Sequence, residues 1–107
     1  LDFTYIDDLC QGIYKIIQFK NKSTNKTFNL TYGSAKSIID LKKLISKKFK
    51  SQKFYHVKRN KLMAIRGTLS IKKAKKTINY NPKYSIANGF EKYYQWYKKF
   101  YGTKRIK

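Results

Sequence analysis

The sequence predicts a small α+β domain of about four helices and two or three short strands. Three observations predict it. Apolar residues recur at helical spacing behind residues that favour helix starts, short alternating runs sit between polar turns, and no Pro- or Gly-rich linker or internal repeat divides the 107 residues. A chain of this length is one domain with a modest core. Two or three short strands make a poor independent sheet, so such a piece is expected to lean on a partner domain.

Asp2-Phe3-Thr4-Tyr5-Ile6 suits a short strand or extended entry, after which Asp7 or Asp8 caps a helix with the stripe Leu9, Ile13, Ile16 and Ile17. Cys10, the only cysteine, lies beside that stripe and reads as a buried packing residue, with the cytoplasm as the default compartment. The polar run 21–26 predicts a loop. Thr27 to Tyr32 reads as a strand ended by Gly33-Ser34. Ser37 with Asp40 forms a capping-box pattern ahead of a helix presenting Ile38, Leu41, Leu44, Ile45 and Phe49 inward. Phe54 to Val57 is a candidate strand inside an irregular stretch, 50–67. Ser70 can cap a short helix carrying Ile71, Ala74 and Ile78, and Pro82 prevents its continuation. Ser85 caps the last helix, with Ile86, Phe90, Tyr93, Tyr94, Tyr97 and Tyr101 near one stripe and Gly102 as its stop. Residues 1–102 then form the domain and 103–107 a basic tail.

The net charge is +21. That balance fits a polyanion partner, and a small lysine-rich nucleic-acid-binding module is the alternative reading of the chain. The identity of the cations speaks against it. Only Arg59, Arg66 and Arg105 are arginines; the rest are lysines, hydrated point charges that readily cover solvated helix faces, whereas the planar arginine fork suits phosphate. Asn, Ile, Tyr and Lys are abundant together, as in coding from an AT-rich genome. No apolar run is long enough to span a membrane, so no membrane partner is expected.

Little in the sequence can perform chemistry by itself. It has neither a GxGxxG nor a Walker A loop, so it carries no nucleotide-phosphate fingerprint. His56 is the single histidine and reads as structural. Asp7 and Asp8 are neighbours that point to different sides, which suits capping better than acid/base work. The Tyr-x-x-x-Lys spacing of short-chain dehydrogenases occurs at Tyr32–Lys36 and at Tyr94–Lys98. With ten tyrosines and this many lysines, chance matches are expected.

Three segments in order carry a resemblance. Leu1-Asp2-Phe3-Thr4-Tyr5-Ile6-Asp7-Asp8-Leu9 looks like an Arg-Asp-Phe-x-Tyr/His-Val-x-Asp-Leu segment, and Thr27-Phe28-Asn29-Leu30 through Leu41 looks like a Phe-Asn-Ile-Gly strand leading into a Leu-rich helix. Arg66-Gly67-Thr68-Leu69-Ser70-Ile71-Lys72-Lys73-Ala74, then Tyr80-Asn81-Pro82 and Trp96-Tyr97, looks like the closing Asp-x-x-Lys-Ala, Gly-Tyr-x-Pro and Trp-Tyr pattern. Together they resemble the C-terminal part of the NAD-dependent epimerase/dehydratase family, the extended short-chain dehydrogenase/reductases such as the UDP-glucose 4-epimerases.

The resemblance implies a cytoplasmic, homodimeric isomerase or lyase of nucleotide-sugar metabolism. Its Rossmann half, expected upstream of Leu1, would bind NAD and supply the catalytic Tyr and Lys. This C-terminal part would close over a nucleoside diphosphate sugar and be inactive alone. Family arginines at the start of the first segment and in the late loop contact the substrate. The first position is Leu1 here, so the resemblance leaves Arg66 and Arg59 as the substrate-binding candidates, with Phe3 where the family places an aromatic near the nucleotide.

Overall fold

The computed structural model describes residues 1–102; the basic tail predicted for 103–107 lies outside them. Five helices follow one another: α1 (Ile6–Gln18), α2 (Lys20–Ser23), α3 (Ile38–Lys48), α4 (Lys72–Ile78) and α5 (Ile86–Tyr101). No strand forms among the described residues. The domain is helical; the predicted strands at 27–32 and 54–57 are irregular chain without sheet partners among the described residues, and so is 2–5, while Ile6 already belongs to α1.

A strand is defined by pairing with another strand, and these segments spend their polar groups elsewhere. Leu1 and Lys36 exchange one pair of backbone hydrogen bonds, both 2.8 Å, and no ladder extends from it. In the 27–32 segment the Thr31 hydroxyl donates to Asp2, and Asn29 Nδ2 donates to the Ser70 carbonyl. Side chains do the tying that a neighbouring strand would otherwise do. Residues 51–70 are exposed throughout.

Two local starts follow the sequence closely. Ser37 Oγ accepts from the Asp40 amide while Asp40 accepts from the Ser37 amide, a complete capping box. The Ser37 amide, and after it the Ser37 hydroxyl donating to Asp40 Oδ2 at 2.9 Å, hold the Asp40 carboxyl below its usual range. Ser85 Oγ accepts from the Asn88 amide at the start of α5, and Gly102 ends that helix with a positive φ. Two other starts differ. Tyr5, not Asp7 or Asp8, is the N-cap of α1, and Ile71, not Ser70, that of α4; neither caps through its side chain. Residues 20–23 add a helical turn where a loop was predicted.

The core is small. Ile71, Ala74, Ile78 and Tyr80 are buried, with Ile16, Phe19, Phe28 and Leu30 packed against them. It lies between α1, α2, α4 and the 28–30 segment. Tyr80 closes it by donating its hydroxyl to the Thr31 carbonyl at 3.1 Å. Gly12 lets α1 approach this closely: a Cβ there would lie 2.8 Å from both Leu30 methyls. α3 and α5 meet in a second contact, through the edge-on rings of Phe49 and Tyr94 and the Lys48–Glu91 ion pair at 2.6 Å. The molecule spans 51 × 39 × 18 Å, with a radius of gyration of 17.0 Å. About 13 Å is usual for a compact domain of this length. It is a slab less than two helices thick.

Much of the apolar stripe of α1 faces outward. Ile16 reaches the core, but Ile13 and Ile17 are 48% and 69% exposed, and Cys10 is exposed rather than buried. With Ile6 and Tyr14 they form one uncovered apolar face. The predicted inward stripe of α3 is only half-buried, with Ile38 exposed.

Candidate functional site

The irregular loop between α3 and α4 brings the two candidate arginines together. Arg59 and Arg66 line one concavity of about 800 Å³ with Leu1, Ile38, Leu62, Met63, Ala64 and Ile65. The loop is shaped by its own residues. Asn60 accepts the Leu62 amide on its side chain and the Met63 amide on its carbonyl, making a turn. Arg59 Nη2 donates to the Met63 carbonyl at 2.6 Å, so one edge of its guanidinium braces the turn and the others stay free to bind. Arg66 has no hydrogen bond or ion pair among the described residues.

Among the described residues no carboxylate lines this concavity. The acids are engaged elsewhere: Asp2 and Asp8 on backbone amides, Asp40 in its cap, Asp7 with Lys92 and Glu91 with Lys48. The Lys48 and Gln95 hydrogen bonds hold the Glu91 carboxyl below its usual range, and a hydrogen bond to the Tyr84 hydroxyl raises Lys92. Two arginines on one open concavity, with exposed apolar side chains such as Leu62 and Ile65 beside them, suit a compact dianion attached to a less polar group.

Phe3 is not part of this arrangement. It lines a separate apolar cleft of about 320 Å³ with Ile6, Leu41, Ile86, Phe90 and Tyr93. The structure thus unites two of the three predicted residues and leaves Phe3 packed between the N-terminal segment and α5.

The two Tyr-x-x-x-Lys matches differ in geometry. Gly33 has φ +79° and residues 32–36 are not helical, so Tyr32 and Lys36 do not share a helix face. In α5, Lys98 Nζ sits 5.1 Å from the ring centroid of Tyr94, over its face. His56 is exposed, its Nε2 3.3 Å from the Lys42 ammonium. Among the described residues no cluster of His, Cys, Asp or Glu could hold a metal ion. Gly33 and Gly67 are isolated, and among the described residues neither opens a glycine-rich turn into a helix of the kind that cradles a pyrophosphate.

Sequence reasoning missed Asp2. Its Oδ2 accepts from the Thr31 hydroxyl (2.9 Å) and the Leu69 amide (3.2 Å), and its Oδ1 from the Gly33 amide (3.1 Å). These partners are remote in sequence, and no local pattern announces them.

No protein-family model, curated protein or solved structure matches this chain. Among the described residues no helix is long and apolar enough to cross a membrane.

Proposed function

We propose that this chain is the substrate-closing portion of an NAD-dependent nucleoside-diphosphate-sugar epimerase or dehydratase, with Arg66 and Arg59 gripping the diphosphate. The observation that carries this reading is the shared, acid-free concavity of the two arginines. Paired charge-assisted hydrogen bonds from an arginine fork match adjacent anionic phosphates better than a lysine ammonium does. The ordered resemblance of the three sequence segments supplies the substrate class. The thin slab and the bare face of α1 support a second domain packed against this one. Under this reading that domain is the Rossmann half, which holds NAD and the catalytic Tyr and Lys. This portion contributes substrate binding and no catalytic group.

Titration of the 107-residue chain with UDP tests the reading. Saturable binding is expected, weakened about tenfold by Arg66→Ala and only partly restored by Arg66→Lys. Absence of UDP binding, or equal binding by the Arg66→Ala chain, contradicts it.

One observation favours the nucleic-acid alternative. Tyr93, Trp96 and Phe100 are exposed along α5, next to Lys92 and Lys99. Trp96 is the only tryptophan, so its fluorescence reports on that face. Quenching by single-stranded DNA with a steep salt dependence, alongside no response to UDP, would favour this alternative.

A further inference from the structure

We infer that Asp2 is a positioning residue whose carboxylate fixes the stem of the Arg59–Arg66 loop and so sets where the Arg66 guanidinium meets a diphosphate. The inference rests on the reading of that loop as a diphosphate site.

The loop has few anchors. Residues 51–70 are exposed, and the turn at Asn60 is held only by contacts within the loop. What ties its descending stem to the body lies just beyond Arg66. The Leu69 amide donates to Asp2 Oδ2, Thr68 Oγ1 accepts the Ala35 amide at 2.9 Å, and the Ser70 carbonyl accepts Asn29 Nδ2 at 3.1 Å. Among these ties only the Asp2 one is charged. Its carboxylate also holds the Thr31 hydroxyl and the Gly33 amide, so one group joins the N-terminal segment, the 31–33 turn and the loop stem. Leu1, next to Asp2, lines the arginine concavity itself. Asn at position 2 keeps the shape but offers a single acceptor oxygen, so at least one of the three donors is left facing an NH₂ group. Losing such a contact frees the stem, and Arg66 then searches a wider volume before it reaches phosphate.

A double-mutant cycle with UDP as the probe tests this. Asp2→Asn is expected to weaken UDP binding about tenfold. In the Arg66→Ala background the same change should cost less than about twofold, because Asp2 acts through Arg66. Amide exchange at Leu69 and Gly33 should quicken in Asp2→Asn while the α1 amides keep their protection. Should Asp2→Asn unfold the chain, Thr68→Val, which removes the neighbouring tie, carries the test: weaker UDP binding that vanishes in the Arg66→Ala background supports the role. Unchanged UDP affinity, or losses that multiply fully in the double variant, overturns it. A wild-type chain that fails to bind UDP overturns the diphosphate reading and the positioning role with it. UDP binding that is insensitive to Asp2 leaves the reading intact and removes only the positioning role.

Discussion

Asp8→Ala offers the sharpest test of how the fold is held. Asp8 is 2% exposed and accepts the Lys83 amide at 2.8 Å and the Tyr84 amide at 2.9 Å, clamping the segment after Pro82 onto the first turn of α1. A hydrogen bond to a charged group contributes about 1.5–3 kcal/mol. Two are lost, while water reaching the exposed Lys83 recovers part of the loss and the better helix propensity of Ala returns about 0.5 kcal/mol. The net cost is about 3 kcal/mol, a large fraction of the stability of a domain this small. Urea unfolding followed by far-UV circular dichroism should show a midpoint lowered by about 2 M, given a slope of about 1.5 kcal/mol/M. Asp8→Asn, which keeps one acceptor oxygen, should fall between. Asp7→Ala is the control: Asp7 is more than half exposed and lies 3.5 Å from Lys92, an ion pair worth less than about 1 kcal/mol. Equal midpoints for the Asp7 and Asp8 variants would refute the clamp.

Two further outcomes follow from the core. Gly33→Ala should destabilise the chain by about 1–3 kcal/mol in the same urea assay, because Gly33 has φ +79° and a Cβ there would lie 2.8 Å from Ile71 Cδ1. A neutral result would contradict the close approach. Burial, with the Asp8 and Asp2 carboxylates nearby, pushes the Tyr80 hydroxyl up to about 12 from an ordinary 10.0. The unfolded chain therefore loses this proton first, so stability falls as pH rises from about 10 to 12. In a tyrosinate absorbance titration, Tyr80→Phe should remove a late-ionising ring, and a titration unchanged above pH 11 would count against its burial.

What the sequence made legible was local. Ser37 with Asp40, and Ser85 with Gly102, are short-range signals whose partners lie within a few residues, and both operate as read. Asp7 and Asp8 are chemically identical neighbours, and only their partners at Lys92 and at Lys83–Tyr84 separate a surface ion pair from a clamp. Alternation at Phe28 and Leu30 marks a half-buried extended segment correctly, but whether such a segment pairs depends on a second strand that no local pattern supplies. The helical period of α1 found apolar positions without saying which are covered: Ile16 packs inside while Ile13 and Ile17 face out. At the site, the family resemblance pointed to Arg59 and Arg66 among so many cations. Their convergence depends on a turn built by Asn60 and a stem tied to Asp2, and Phe3 was drawn to the other side of the N-terminal segment by α5.

The most direct measurement is the affinity of the chain for UDP against that for inorganic pyrophosphate and for uridine, over a range of salt. A formed two-arginine site predicts that UDP binds more tightly than either part, with a modest salt slope and a loss on Arg66→Ala. Binding that tracks anionic charge alone, equal for pyrophosphate and UDP and indifferent to Arg66, would mean that the lysine-rich surface attracts anions without a site.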